Sequence, residues 1–319
     1  MQVTVVMSVY KEPIEYVLKA IESVENQTFK DFSIVIVLDN PAYKEMQSFL
    51  KQLSLKWNNI TIIENSVNIG LALSLNKAID VCVSPYIARM DADDICHPER
   101  LELEVKYLEE NPDVCVVSTN RMNIDEKGNI ISNATPLPEN YPSIRMQMAY
   151  ENIILHPSVM FRRQDVVAIG KYRNFPASQD LDLWLRIIDS GGKLGIIDKP
   201  LMKYRVSTMS ITVGSPYKQW LCNKYIRKLS KERRKCNIDS YSYDKLQEYL
   251  HIKGCFNKVS AEKFKQGMTA FRSSRNELKK RRYLKALELL IKSLIAHKEM
   301  PILVFQSIRY QIYARSRVF

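Results

Sequence analysis

Three carboxylates crowd four positions in Asp91-Ala92-Asp93-Asp94. The apolar run from Tyr86 to Met90 ahead of them reads as a buried strand, and Pro98 beyond them suits the first turn of a helix. Anions gathered at a strand end repel, and only Arg89 and Arg100 stand close enough in sequence to offset them. A divalent cation would offset them better. Mg²⁺ or Mn²⁺ takes oxygen ligands, and one or two protein carboxylates, substrate phosphates and water usually complete its shell. In open α/β sheets ligands sit beyond the carboxyl ends of the strands, where this cluster falls. The competing reading is an Asp-rich turn that caps a helix.

The elements that must position this turn are legible. Residues 3–10 read as a strand, and a helix follows with Val17, Ala20, Ile21 and Val24 on one face. A second buried strand, residues 34–38, ends in Asp39-Asn40-Pro41. A helix over 43–57, a strand over 60–63 and a helix over 71–81 come next, the last preceded by Asn68-Ile69-Gly70. Solid apolar strands alternating with helices predict an α/β fold, a mostly parallel sheet with helices on both faces. No Gly-x-Gly-x-x-Gly or Gly-x-x-x-x-Gly-Lys-Ser/Thr loop is present, so the usual dinucleotide and P-loop signatures are absent. Further on, residues 114–119 read as a strand, 125–128 as a hairpin turn, 135–142 as a proline-rich loop and 156–163 as a strand entered through His156-Pro157.

The 319 residues, 46% hydrophobic and 26% charged, are ordinary globular values. The net charge of +12 is unevenly spread. Residues 215–319 hold 25 basic and 8 acidic side chains, a net of +17, while the first 214 hold 22 and 27, a net of −5. That split predicts two parts, an α/β domain over 1–214 and a basic extension over 215–319. Six cysteines without paired metal spacing are expected to be free thiols of a reducing cytosol. The apolar start lacks a basic leader and a small-residue cleavage site, so it reads as a strand. No apolar run is long enough for a membrane-spanning helix.

Five pieces in register then carry a resemblance: Ser8-Val9-Tyr10-Lys11-Glu12, Asn26-Gln27-Thr28-Phe29, the strand ending in Asp39, Asn68-Ile69-Gly70 with Asn76, and Asp91-Ala92-Asp93-Asp94 with Pro98, Arg100 and Leu101. In order and spacing, across roughly residues 1–210, the chain resembles the family-two glycosyltransferases of the Rossmann-like GT-A fold. The resemblance implies a nucleotide-sugar site in which Ser8, Tyr10, Glu12, Asp39, Asn68 and Asp91 surround the base and ribose. Asp39 would accept from a uracil-like ring N–H, since an ionised carboxylate only accepts. Glu12 reads equally as a carboxylate favoured by a helix N-terminus. Asp93, with Asp94 sharing, would hold Mn²⁺ or Mg²⁺. Many members carry a second Asp and Gly-Ser after the second strand, where this chain has Asn40-Pro41.

Gln179-Asp180-Leu181-Asp182-Leu183-Trp184 resembles the family's Glu-Asp motif, with Gln179 in place of Glu. Leu181, Leu185 and Ile188 share a helical face, which puts Asp180 in the first turn. The resemblance implies that Asp180 is the general base that takes the acceptor hydroxyl's proton, with Asp182 the second candidate. His156 and Trp184 are candidates for the acceptor side, against structural roles for both. Lys203-Tyr204-Arg205-Val206-Ser207 stands where members often have Tyr-Arg-x-His. Arg205 would face the diphosphate, and Ser207 or water would take the place of the metal-ligating His.

The extension reads as helices. Leu284, Leu287, Ile291 and Leu294 form an apolar stripe beside Lys279-Lys280-Arg281-Arg282, which suits an anionic membrane surface. The alternative is a helical cap whose stripe faces the protein. No nucleic-acid-binding signature accompanies the charge. Together these readings predict metal-dependent, inverting transfer of a sugar from a UDP-sugar to a glycan acceptor, lipid-linked, at the cytoplasmic face of the membrane in surface-polysaccharide biosynthesis. A nucleotide-sugar-binding module, a nucleotidyltransferase and an Asp-x-Asp phosphatase are the rivals. The phosphatase is disfavoured because Ile95-Cys96-His97 lacks the Thr or Val it needs.

Overall fold

The structure, a computed structural model, describes residues 1–206 and 215–315, with side chains to residue 312. Ser207 lies outside the described residues. The chain divides into two compact units, one of residues 1–145, 152–174 and 179–207, the other of residues 146–151, 175–178 and 208–319.

The first unit is α/β. Its first half alternates β1 (Val3–Val9), α1 (Ile14–Glu25), β2 (Phe32–Leu38), α2 (Lys44–Lys56), β3 (Ile60–Glu64), α3 (Leu71–Val81) and β4 (Tyr86–Asp91). The strands lie in the order β3-β2-β1-β4, all parallel. The apolar runs of β1, β2 and β4 are buried almost throughout because helices cover both faces. Val17, Ala20, Ile21 and Val24 of α1 are all buried, as their spacing predicts.

Beyond β4 the sheet becomes mixed. β5 (Ile95–Cys96), β6 (Val114–Ile124), β7 (Ile130–Ser132), β8 (Met160–Arg162) and β9 (Lys193–Arg205) extend it in the order β4-β8-β6-β9-β5, with β7 paired to β6. β8 runs antiparallel to both β4 and β6, whereas β6 and β9 are parallel. β9 passes so close to Tyr107 that a Cβ on Gly195 would stand 2.5 Å from its ring. Any side chain there would require the Tyr107 ring to shift. Helices α4 (Arg100–Glu110), α5 (Tyr141–Met148), α6 (Arg163–Ala168) and α7 (Gln179–Asp189) complete this half of the chain.

Two expectations about local structure are corrected. His156-Pro157-Ser158 is a 3₁₀ turn, not strand. Ser158 ties that turn to β6, its hydroxyl accepting from Thr119 N (3.0 Å) and donating to Thr119 O (3.1 Å). Helix α4 starts at Arg100 rather than at Pro98. Its first turn is satisfied by Gln27, whose Oε1 accepts from Leu101 N (2.9 Å) while Nε2 donates to His97 O (2.8 Å). The Asn26-Gln27-Thr28 signature is thus a clamp on the segment that follows the acidic turn.

The second unit contains α8 (Pro216–Cys236), α9 (Tyr243–Ile252), α10 (Lys258–Lys279), α11 (Tyr283–Ala296) and α12 (Met300–Arg315). Tyr217, Phe264 and His297 pack ring against ring in its core, with centroids 4.8–5.5 Å apart. No helix among the described residues is long and apolar enough to cross a membrane. The six cysteines are free.

Candidate functional site

Parallel register aligns Val3–Val9 with Phe32–Leu38 on one side and sets Ser8 opposite Asp91 on the other. The residues after β1, β2 and β4 therefore emerge at one edge of the sheet. This edge brings together Ser8, Tyr10, Glu12, Asp39, Asn68 and the acidic turn.

Asp91, Asp93 and Asp94 each bring one carboxylate oxygen to within 4.8 Å of the others. Asp94 is fully buried; Oδ1 accepts from Arg205 N (2.8 Å), and Oδ2 has no hydrogen-bond partner among the described residues. Burial, then the charges of Asp91 and Glu12, push the Asp93 carboxyl up to about 7. Burial, then Asp91 and Asp93, raise Asp94 well above the usual carboxylate range. Glu12 is raised by burial too, although its carboxylate accepts from Tyr10 N (2.6 Å) and Lys11 N (3.0 Å). Crowded, dehydrated carboxylates resist ionising together. An all-oxygen donor set with an orphaned buried oxygen fits a hard divalent cation. Asp91, Asp93 and Asp94 are the residues that would hold it.

Asp39 is 2% exposed, and its carboxylate accepts from Asn65 Nδ2 (2.9 Å), Ile69 N (2.9 Å) and Gly70 N (2.8 Å). Asn68 Nδ2 donates to Asp39 O (3.1 Å). Gly70 has φ of +85°, a conformation side chains disfavour, so the loop into α3 needs glycine there. In this structure Asp39 is the clasp of that loop; among the described residues Gly70 N is the one donor to Oδ2, which leaves that oxygen further accepting capacity. Tyr10 is 40% exposed, with its carbonyl accepting from Asn40 Nδ2 (2.8 Å).

Arg205 departs from its expected place at a diphosphate. It is 3% exposed, and its guanidinium donates to the carbonyls of Asp93, Asp125 and Glu126, each at 2.9 Å. Its Nε and Nη1 donors are spent on the backbone of the acidic turn and of the β6–β7 turn, while Nη2 makes no hydrogen bond among the described residues.

On the acceptor side, Asp180 stands in the first turn of α7, where Asn152 Nδ2 donates to its Oδ2 (2.6 Å). Burial raises the Asp180 pKa, while the Leu181 N–H, Asn152 and the Arg89 charge pull it down. Asp182 is a different kind of residue. It is fully buried and paired with Arg186 (2.8 Å) and Arg173 (3.7 Å), so it holds the fold and is no longer a candidate base. Trp184 also departs from expectation. It is fully buried in α7, so it has no surface to offer a sugar. His156 lies 2.9 Å from the Tyr172 hydroxyl through Nε2, with its ring 6.2 Å from Trp184. Burial and then the Arg89 charge hold its pKa well below the ordinary value, which makes it a neutral imidazole.

Arg89, one of the two cations that the sequence sets beside the acidic turn, proves to be a buried member of the site. It is 2% exposed, ion-paired with Asp91, and its Nε and Nη1 have no partner among the described residues. The signal was a lone cation inside an apolar strand. Asn152 and Tyr172 carried no such signal. Asn76, noted only as part of a motif, anchors Tyr172 by two bonds to its backbone (2.8 and 3.0 Å).

The model of glycosyl transferase family 2 matches residues 4–169. An uncharacterized glycosyltransferase of Methanocaldococcus jannaschii, MJ1057, is 37% identical over 237 residues, covering 74% of this chain and 82% of its own. The amylovoran biosynthesis glycosyltransferase AmsE of Erwinia amylovora is 32% identical, covering 64% of this chain and 76% of its own. The UDP-Gal:alpha-D-GlcNAc-diphosphoundecaprenol beta-1,3-galactosyltransferase of Escherichia coli is 25% identical, covering 64% and 74%. Among solved structures, S. aureus TarS 1–349 in complex with UDP superposes with a TM-score of 0.59 at 14% identity, over 99% of this chain and 89% of that one. That likeness is one of fold, a mixed α/β sheet flanked by helices with a helical C-terminal region. With half the chain matched by the family model and a relative of this identity, the protein belongs to glycosyltransferase family 2.

Proposed function

We propose that the protein transfers a sugar from a UDP-sugar to a hydroxyl of a lipid-linked glycan, with inversion, in surface-polysaccharide biosynthesis. The observation that carries this reading is the cluster of Asp91, Asp93 and Asp94: burial and neighbouring carboxylates raise Asp93 and Asp94, and one Asp94 oxygen has no partner among the described residues, which suits a divalent cation. Bound Mn²⁺ or Mg²⁺ would neutralise charge on the departing diphosphate. Ser8, Tyr10, Glu12, Asp39, Asn68 and Asp91 would hold the nucleotide and ribose at the sheet edge. Asp180 would accept the acceptor hydroxyl's proton while that oxygen bonds to the anomeric carbon and the bond to UDP breaks. The sugar passes through an oxocarbenium-like state, as in other glycosidic chemistry. A base whose pKa is raised towards neutrality is matched to this task. His156, neutral and beside Tyr172, would line the acceptor side. The UDP complex of TarS and the donor and acceptor in the name of the Escherichia coli relative support the choice of substrates.

The acceptor's lipid carrier is supported by the extension. Leu284 (87% exposed), Leu287, Ile291 and Ile295 face outward from α11, and Ile302, Phe305, Ile308 and Ile312 are exposed on α12. The expected stripe is amended in one position, Ile295 replacing the half-buried Leu294. Exposed apolar rows beside Lys279, Lys280, Arg281 and Arg282 suit the anionic cytoplasmic face of a bilayer better than water. On this reading residues 1–214 carry the chemistry and residues 215–319 the membrane contact.

A panel of nucleotide-sugars with Mn²⁺ and a lipid-linked acceptor tests the proposal, reading released nucleoside diphosphate and, by NMR, the anomer formed. UDP release with an inverted product is expected. Release of another nucleotide, a retained anomer or pyrophosphate formation would each overturn it.

A further inference from the structure

Arg205 gathers three segments that are far apart in sequence. Its backbone N–H donates to Asp94 Oδ1 (2.8 Å) and its Nε to Asp93 O (2.9 Å). Nη1 donates to Asp125 O and Glu126 O, both at 2.9 Å, at the turn joining β6 to β7. The guanidinium lies 4.1 Å from the centre of the Tyr16 ring on α1, whose hydroxyl donates to the same Glu126 O (2.9 Å). Asp125 stiffens that turn by accepting from Lys127 N (2.9 Å), Asn129 N (2.8 Å) and Asn129 Nδ2 (3.0 Å).

The chemistry of the guanidinium explains why one residue serves all of this. It is planar, always charged and carries donors in a rigid fork, so it stacks on Tyr16 while donating along two edges. Lysine has no such fork. Asp94 has one oxygen fixed by the Arg205 N–H and the other without a partner among the described residues, so its orientation is inherited from the end of β9. The carbonyl of Asp93 is held by Nε, which sets the path of the backbone between the clustered carboxylates. To turn Nε or Nη1 toward a diphosphate the guanidinium would have to leave three carbonyls in a site only 3% exposed.

We propose that Arg205 is a positioning residue that locks the Asp93–Asp94 turn to the β6–β7 turn and to Tyr16, fixing the directions in which the carboxylates meet a divalent cation without touching the diphosphate. The inference deepens the metal site proposed above and rests on it for one arm of its test. Outer partners of metal ligands have this kind of leverage, and their loss typically weakens metal affinity about 10–100-fold.

Two measurements on Arg205→Gln and Arg205→Lys decide it. The first is amide hydrogen exchange of the ligand-free protein. Residues 91–96 and 123–130 are expected to exchange about tenfold faster or more in Arg205→Gln, with the amides of β1 and β2 unchanged and Arg205→Lys intermediate. Unchanged exchange in both segments overturns the proposal. The second compares uridine, UMP and UDP binding with Mn²⁺ and with chelator. Only the Mn²⁺-dependent gain for UDP is expected to shrink, by about tenfold or more. A loss of UDP relative to uridine in chelator would put the guanidinium on the diphosphate and overturn it. If wild type shows no Mn²⁺-dependent gain, the metal reading falls, and the exchange result still decides the role of Arg205. Should Arg205→Gln fail to fold, Tyr16→Phe removes one bond to Glu126 O and keeps the ring. Faster exchange confined to residues 123–130 is then expected, and none there overturns the lock.

Discussion

Asn152 Nδ2 and Asp180 Oδ2 are 2.6 Å apart, a bond that joins the segment before the His156 turn to the first turn of α7. It gives the carboxylate a donor that favours its charged form, against burial that favours the neutral one. The result is a carboxyl held above the ordinary carboxylate range.

That bond yields a pH prediction. Asp180 must be ionised to take a proton, so kcat/KM should fall as pH drops through its raised pKa. The groups acting on it are Asn152, the Leu181 N–H, Arg89 and Tyr172. Asn152→Ala removes a donor to the charged form, raises that pKa further and moves the acid limb of the profile to higher pH. Activity at high pH should be less affected. An acid limb that stays in place would mean the limb belongs to another group.

Asp182→Asn should fail differently. Asp182 and Arg186 are 0% and 5% exposed, and Arg186 also donates to the carbonyls of Ile169 and Lys171. Taking one partner from a buried ion pair costs about 3–5 kcal/mol. Chemical denaturation should show that loss, with the double variant Asp182→Asn/Arg186→Met losing less than the sum of the single changes. A stability within about 0.5 kcal/mol of wild type, as for a surface change, would remove this structural role.

The cation reading predicts the response to nucleotide. UDP should raise the melting temperature more with Mn²⁺ than with chelator, because a ligand that binds only the folded state stabilises it. Asp93→Asn should remove the Mn²⁺-dependent part and leave the protein folded. Equal stabilisation by UDP in chelator would contradict the assignment.

The extension is better probed by substitution than by truncation. Phe271 and Ser274 of α10 are buried, and Ser274 Oγ donates to Ala286 O (2.6 Å) in α11, so cutting within α10 would unravel a packed pair. Leu284→Ser, Leu287→Ser and Ile291→Ser together should abolish binding to anionic vesicles with little loss of melting temperature. Neutralising Lys279, Lys280, Arg281 and Arg282 should weaken it most at low salt, where charges are least screened. Vesicle binding untouched by both would end the membrane reading.

How far the sequence reached depends on the kind of contact. The β1–β4 half was legible because its order is local: apolar runs, the 3.6-residue period of α1 and the Asp-rich turn each sit in one stretch. β9 was not, since its run is broken by Lys199 and Pro200 and its partner β6 lies some 80 residues away. The acidic turn was read correctly as a cluster, whereas Arg205 was placed at the diphosphate because a cation beside an anion site suggests that role. Its actual partners are backbone carbonyls, which no side-chain pattern records. For Trp184 and Asp182 the structural alternative holds: α7 is buried on nearly every side, so the Trp184 ring lies in the core and Asp182 pairs with Arg186.

The central claim is that Asp180 is the base of an inverting transfer. Its most direct test is the turnover of Asp180→Asn at saturating UDP-sugar and acceptor, alongside the UDP dissociation constant of the same variant. The nearly isosteric amide should leave UDP affinity and melting temperature unchanged while turnover falls by about 10²–10⁴, the usual worth of a positioned base. Normal turnover by Asp180→Asn with intact UDP binding would contradict the account.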